Sequence, residues 1–208
     1  MYLLKDITPS GGGDRIILRL VGDSEQALIT VPTEAIAKYD LKKGCSVSRE
    51  LYAELTDDAE LDGAMRKGLA ILGYGSNSKA RLEEKLARHG YSRDTAQRAV
   101  LELEGRGYID EEKDALRLCD SMISKKYGPR KILMSLRTRG YGREVLQKAD
   151  EFLGEIDFTE VCAALIRIKV KKIPENREEM KKLLAKLTAL GYNVGEVRKA
   201  LELLRGEA

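Results

Sequence analysis

The chain has 208 residues, 34% of them charged and 43% hydrophobic, and its formal net charge is only +3. With no Trp and two Phe the core must be aliphatic, and a mix rich in Ala, Glu, Lys, Leu and Arg is typical of helical proteins. No apolar run approaches the roughly 18 residues of a membrane helix, and the start MYLLKDITPSGGG lacks the basic-then-apolar order of a secretion signal.

Residues 1–57 read as a small β-rich module. Leu3 to Ile7, Arg15 to Val21 and Ala27 to Val31 are strand-like runs bounded by turn residues, Ser10 to Asp14 and Gly22-Asp23-Ser24. A short helix is expected over Glu34 to Tyr39, a last strand at Cys45 to Val47, and a helical exit from Ser48 to Leu55. The triple glycine Gly11-Gly12-Gly13 feeds a β-patterned run and not a helix, so it reads as a hairpin loop and not as a phosphate cradle. Cys45, Cys119 and Cys162 are widely spaced with no C-x-x-C pair. That argues against a disulfide framework or zinc site, and it fits a reducing cytoplasm.

From about Leu61 the period becomes helical. Gly90-Tyr91, Gly140-Tyr141 and Gly191-Tyr192 recur about every 50 residues, a spacing that indicates a repeat. Leucine or isoleucine pairs precede each glycine: Leu82 with Leu86, Ile132 with Leu136, Leu183 with Leu187. An apolar stripe follows each: Ala96, Ala99 and Leu103, then Leu146, Ala149 and Leu153, then Val197, Ala200 and Leu204. Each glycine fits the left-handed position just past a helix end. Ser92, Asn176 and Asn193 supply cap signals, the last two with Glu179 and Glu196 at capping-box spacing. A longer helix precedes each pair, at about Asp62 to Leu72, Glu112 to Lys126 and Phe158 to Val170. The expected fold is therefore mainly α: tandem three-helix repeats over 58–109, 110–154 and 155–208, stacked in an elongated array behind the β-rich module.

One stretch departs from the mixed charge of the other helix faces. Ser121 to Arg143 holds Lys125, Lys126, Arg130, Lys131, Arg137, Arg139 and Arg143 and no acid, so the remainder of the chain is net acidic. Such a block attracts a polyanion or an acidic surface. Arg130 and Lys131 follow Pro129 at a helix start, where cations oppose the helix dipole, a local disadvantage that points to a partner. Lys171, Lys172, Arg177, Lys181, Lys182 and Lys186 form a second basic group.

Other polar features read as structural. His89, at a helix end, lacks a catalytic partner, and no nucleophile motif is present. Acidic pairs such as Asp57-Asp58, Glu111-Glu112 and Glu178-Glu179 are expected at helix starts, and no ligand spacing marks a metal site. The tyrosines of the Gly-Tyr pairs follow the structural period, which favours packing over base stacking. No catalytic, cofactor-binding or metal-binding residue is expected.

The residues of 61–153 resemble the RecX family of regulatory proteins. The match comprises Ser78 with Leu82, Lys85, Leu86 and Gly90. It continues through Leu101, Leu103 and Gly107-Tyr108-Ile109-Asp110 to Ala115, then Gly128, Arg130, Lys131, Ile132, Leu136 and Gly140. Two places depart from the pattern: Gly73-Tyr74-Gly75-Ser76-Asn77 stands where the family often carries arginines, and the linker Lys171 to Glu175 is longer. The resemblance implies an inhibitory protein, without a catalytic site, that binds in the groove of the RecA–DNA filament and restrains ATP turnover, strand exchange or filament growth; a monomer is expected, although the sequence leaves dimerisation open. Single- or double-stranded DNA is a further ligand open to the basic face. A stand-alone DNA-binding protein with helix-turn-helix-like units is the alternative, although the sequence pI near 8.6 is low for one.

Overall fold

A computed structural model describes residues 1–22, 25–170, 173–174 and 176–206. The expectations placed on Asp23, Ser24, Lys171, Lys172 and Glu175 lie outside the described residues. Those described hold ten helices and four strands, a mainly α fold with a small antiparallel sheet at its N-terminus. Chain contacts divide it into two compact units, Met1–Gly75 with Leu82–Tyr108, and Ser76–Arg81 with Ile109–Ala208.

In the first unit β1 (Tyr2–Pro9), β2 (Arg15–Val21), β3 (Gln26–Pro32) and β4 (Ser46–Val47) pair antiparallel in the order β3-β2-β1-β4. The alternation in β2 is the reason: Ile16, Leu18 and Leu20 are buried while Arg19 between them is exposed. The glycine loop closes the β1–β2 hairpin, with Ser10 N–H donating to the Arg15 carbonyl at 2.9 Å and Gly12 and Gly13 at positive φ. Helix α1 (Ala35–Lys38) is a single turn between β3 and β4.

The exit from the sheet differs from expectation. Ser48 to Leu55 and Asp62 to Leu72 are not two helices but parts of one, α2 (Arg49–Gly73), capped by Ser48. No proline interrupts Thr56 to Leu61, and isolated glycines such as Gly63 are tolerated inside a helix. Asp57 and Asp58 thus lie in mid-helix and not at a helix start. They act as tethers, Asp57 receiving Arg98 at 2.8 Å and Asp58 receiving Lys38 at 2.7 Å and the Tyr39 hydroxyl at 3.0 Å. Leu55 of α2 is buried in the sheet's core. Further along, α4 (Arg93–Gly105) packs on α2 where Gly68 leaves room for Leu103; a Cβ there would sit 2.6 Å from Leu103 Cδ1. The intervening helix α3 (Lys79–Arg88) divides between the units, residues 79–81 belonging to the second and 82–88 to the first.

The second unit holds α5 (Glu111–Ser124), α6 (Pro129–Thr138), α7 (Arg143–Gly154), α8 (Phe158–Lys169), α9 (Arg177–Ala189) and α10 (Val194–Gly206). Its core joins the expected stripes, among them Ile132, Leu136, Ala149, Leu187, Val197 and Ala200, around Cys119, Cys162 and Tyr192. Asn193 and Glu196 form the expected reciprocal capping box at 2.7 and 2.8 Å. Asn176 caps α9 differently, accepting from Glu178 N–H at 3.0 Å.

The Gly-Tyr pairs are Schellman motifs. In each, the glycine has φ between +81° and +98°, and the tyrosine N–H reaches back to a leucine carbonyl: Leu86, Leu136 or Leu187. Lys126-Tyr127 closes α5 in the same way, but with a non-glycine at φ +61°. A left-handed lysine is strained by roughly 1 kcal/mol. Lys126→Gly is therefore expected to leave stability unchanged or raise it by up to about 1 kcal/mol in denaturant unfolding, since glycine's looser unfolded chain offsets part of the relief. A clear fall in stability would mean that the Lys126 side chain itself holds the fold.

Within the second unit the repeats meet through one kind of seam, used twice. The start of α6 abuts the end of α9: Gly128 N–H donates to the Leu190 carbonyl at 2.8 Å and Arg130 N–H to the Gly191 carbonyl at 3.2 Å. The Tyr192 hydroxyl donates to the Lys126 carbonyl at 2.9 Å. Likewise the residues that open α3 abut the end of α6, where Ser78 Oγ donates to the Arg139 carbonyl at 2.5 Å. At the first seam orphan N–H groups at a helix start meet orphan carbonyls at a helix end, and at the second a serine hydroxyl does so; in both the opposed ends of two helix dipoles face each other.

Burial pushes the thiols of Cys119 and Cys162 up to about 11, whereas Cys45 is only half-buried. Only a thiolate attacks a disulfide. At neutral pH Ellman's reagent is expected to modify Cys45 in the native protein and to reach all three thiols only after unfolding. Fast native labelling of three thiols would contradict this packing.

Candidate partner-binding surface

The seven cations of the basic stretch are placed by three helices of the second unit. Lys125 and Lys126 follow the end of α5, Arg130, Lys131 and Arg137 lie on α6, Arg139 caps its end, and Arg143 opens α7. The pattern of α6 fixes which way they face. Ile132 and Leu136 are fully buried, so Arg130, Lys131, Met134 and Arg137 fall on the opposite, exposed side. Arg130, Met134 and Arg137 have the i, i+4, i+7 spacing of one stripe. Met134 is 63% exposed, an apolar side chain set between two guanidinium groups.

α6 is ten residues long, about 15 Å. The cations therefore form two groups at its ends: Lys125, Lys126, Arg130 and Lys131 at the start, and Arg137, Arg139 and Arg143 at the finish. Six of the seven are exposed or nearly so and Lys126 is half-buried. Among the described residues none of the seven pairs with a carboxylate, although their neighbours do, as Lys148 with Glu112 and Arg117 with Asp114. Lys131 Nζ lies over the Tyr127 ring, 4.8 Å from its centroid.

The dipole disadvantage expected of Arg130 and Lys131 is weaker in the fold than in the sequence. The positive end of α6 does not stand alone against them, because the carbonyls of Leu190 and Gly191 abut it. That largely cancels the effect, and what points to a partner is instead exposure and missing counter-charge.

The second basic group is brought partly into register with the first. Lys131 lines a cavity of about 640 Å³ together with Lys182 and Lys186 of α9, and with Lys169, which no sequence signal singles out. Lys169 sits in the last turn of α8, where a cation complements the dipole, and nothing in its local pattern distinguishes it from a capping residue. Lys181 instead pairs with Glu178 at 3.9 Å, and Arg177 is exposed at the start of α9.

The tyrosines of the Gly-Tyr pairs pack. Tyr192 is 0% and Tyr141 6% exposed, and Tyr91 is half-buried against α2, its hydroxyl beside Gly63. Tyr141 and Tyr192 therefore offer no open face on which a base could stack. His89 is exposed. No cluster of His, Cys, Asp and Glu suited to a metal occurs among the described residues, and no helix there is long and apolar enough to cross a membrane.

No family model matches the chain. Individual relatives do. It is 29% identical over 150 residues to the regulatory protein RecX of Pelodictyon phaeoclathratiforme, covering 71% of this chain and 92% of that one. It is 25% identical over 181 residues to the regulatory protein RecX of Caldanaerobacter subterraneus, covering 87% and 90%. Its fold matches a crystal structure of a regulatory protein RecX with a TM-score of 0.77 and 20% identity, over 97% of this chain and all of the other. Sequence matches of 25–29% identity that span most of both chains, and a shared fold, make this chain similar to the regulatory proteins RecX.

Proposed function

We propose that this protein binds the RecA–DNA filament in the cytoplasm and inhibits recombinase activity: ATP hydrolysis, strand exchange and filament extension. It does so by binding, with no catalysis of its own. The observation that carries the proposal is the cation surface of α5 to α7, which has no carboxylate partner among the described residues, in a chain similar over most of its length to regulatory proteins RecX. A nucleoprotein target suits it. Phosphates and acidic side chains both answer unpaired guanidinium groups, and Met134 adds an apolar contact of the kind that protein interfaces use.

The test is RecA's DNA-dependent ATP hydrolysis with and without the protein. A concentration-dependent fall in the rate is the expected result, and no effect at saturating protein rejects the reading. Binding to naked DNA across a salt series addresses the alternative of a stand-alone DNA-binding protein. Phosphate contacts alone give a steep loss of affinity with salt, and tight, steeply salt-dependent binding without RecA would favour that alternative.

A further inference from the structure

In the second unit α8, α9 and the first turn of α6 border the cavity of about 640 Å³. At roughly 30 Å³ per molecule that is room for about twenty waters. Its floor is aliphatic and includes Ile166, Leu183 and Leu187, each 9% exposed or less. Among the described residues its rim carries Lys131, Lys169, Lys182 and Lys186 against one carboxylate, Glu179. All four lysines are exposed, and among the described residues none has a carboxylate partner. Lys182 and Lys186 are one turn apart on α9, directly flanking Leu183 and Leu187. Like charges held around an apolar trough repel one another, and that cost falls when counter-charge enters.

We propose that this groove receives an acidic amphipathic segment of a protein partner, bound as a helix. Two or three aliphatic side chains of the segment lie on the Leu183–Leu187 floor, and flanking Asp or Glu residues meet the lysines, a helix-in-groove mode of recognition. The chemistry favours peptide over nucleic acid. Among the described residues no aromatic ring lines the groove, so bases have nothing to stack on. The floor runs from Leu183 to Leu190, about 10 Å along α9, which suits an extended apolar stripe better than a compact anion. The groove is separate from the α5 to α7 surface proposed for filament binding, and only Lys131 is common to the two.

The test pans the full chain against a displayed random library of peptides of about fifteen residues, roughly four helical turns. Binding of the enriched peptides is then measured by fluorescence anisotropy. Enriched sequences are expected to combine Asp or Glu with aliphatic residues at i, i+3 or i+4. The double variant Lys182→Glu with Lys186→Glu should weaken them by at least about tenfold, while Arg137→Ala with Arg139→Ala changes affinity less than about twofold. Oligo-dT is the second probe. Failure to enrich acidic amphipathic peptides, or binding insensitive to the α9 charge reversal, overturns the proposal. So does oligo-dT whose affinity falls more than the peptides' on that reversal. RecA is absent from the assay, so a negative result here leaves the ATP-hydrolysis test standing, and the converse holds.

Discussion

If the protein inhibits RecA as proposed, replacing Arg130, Lys131, Arg137 and Arg139 together by alanine should strongly weaken that inhibition of ATP hydrolysis while helical circular dichroism is retained. Each exposed charge contact contributes about 0.5–1 kcal/mol. Four of them amount to about 2–4 kcal/mol, roughly a thirtyfold to several-hundredfold rise in the concentration needed for half-inhibition. The fold should tolerate the change because none of the four makes an ion pair among the described residues, and the hydrogen bonds at this end of α6 come from the main chain. The variant also removes the ammonium of Lys131 from the Tyr127 ring, an interaction worth about 0.5–1 kcal/mol at an exposed site. Because the cations fall into two groups at the ends of α6, the halves can be read apart. If Arg130 and Lys131 carry the effect alone, the partner sits at the start of the helix; if Arg137 and Arg139 do, at its end. Unchanged inhibition by a folded fourfold variant would remove the basic surface from the mechanism.

The largest expected stability effect is at Gly191. Three glycines in equivalent positions have similar left-handed backbones but different surroundings, so alanine substitution separates strain from crowding. Gly90, at φ +96°, has open space around the position a Cβ would take, and Gly90→Ala is expected to cost only the conformational term, about 1–2 kcal/mol. Gly140, at φ +81°, would set its Cβ 3.1 Å from Ser78 Oγ, a side chain that can yield slightly. Gly191, at φ +98°, would set its Cβ 2.5 Å from the Lys131 nitrogen and 2.6 Å from its Cβ, in a seam where main chain meets main chain. Adding overpacking of about 1–3 kcal/mol to the conformational term puts Gly191→Ala at about 3–4 kcal/mol or more. Gly128→Ala tests the same seam without the φ penalty, since Gly128 has φ −81° and its Cβ would lie 2.5 Å from the Tyr192 nitrogen. Denaturant midpoints should rank Gly191 as the most costly, then Gly140, then Gly90. Equal effects at Gly191 and Gly90 would mean that the seam is open in solution.

Much of this architecture was legible in the residues. The Gly-Tyr recurrence reported the Schellman ends, because a left-handed position after a helix strongly selects glycine. The alternation of Ile16, Leu18 and Leu20 with their neighbours reported a sheet with one buried face. The acid-free run reported the basic surface, since charge needs no fold to be counted. Other features left no readable mark. The continuity of α2 rests on the absence of a breaker between Thr56 and Leu61, and two acids in a row imitate a helix start. The seam between α6 and α9 is made largely of main-chain bonds, so its main trace is a glycine, and Gly128 read merely as a break before Pro129. Lys169 belongs to the groove through tertiary placement alone.

Gly140 and Gly191 each have another repeat pressed against them, and Gly90 has nothing within 4 Å of its Cβ position. Joints of this kind draw mostly on atoms common to every amino acid, so they ask little of the side chains nearby beyond the glycine itself. The exposed charges of α5 to α7 lie outside these joints, so they can be exchanged without touching the main-chain bonds that hold the second unit together.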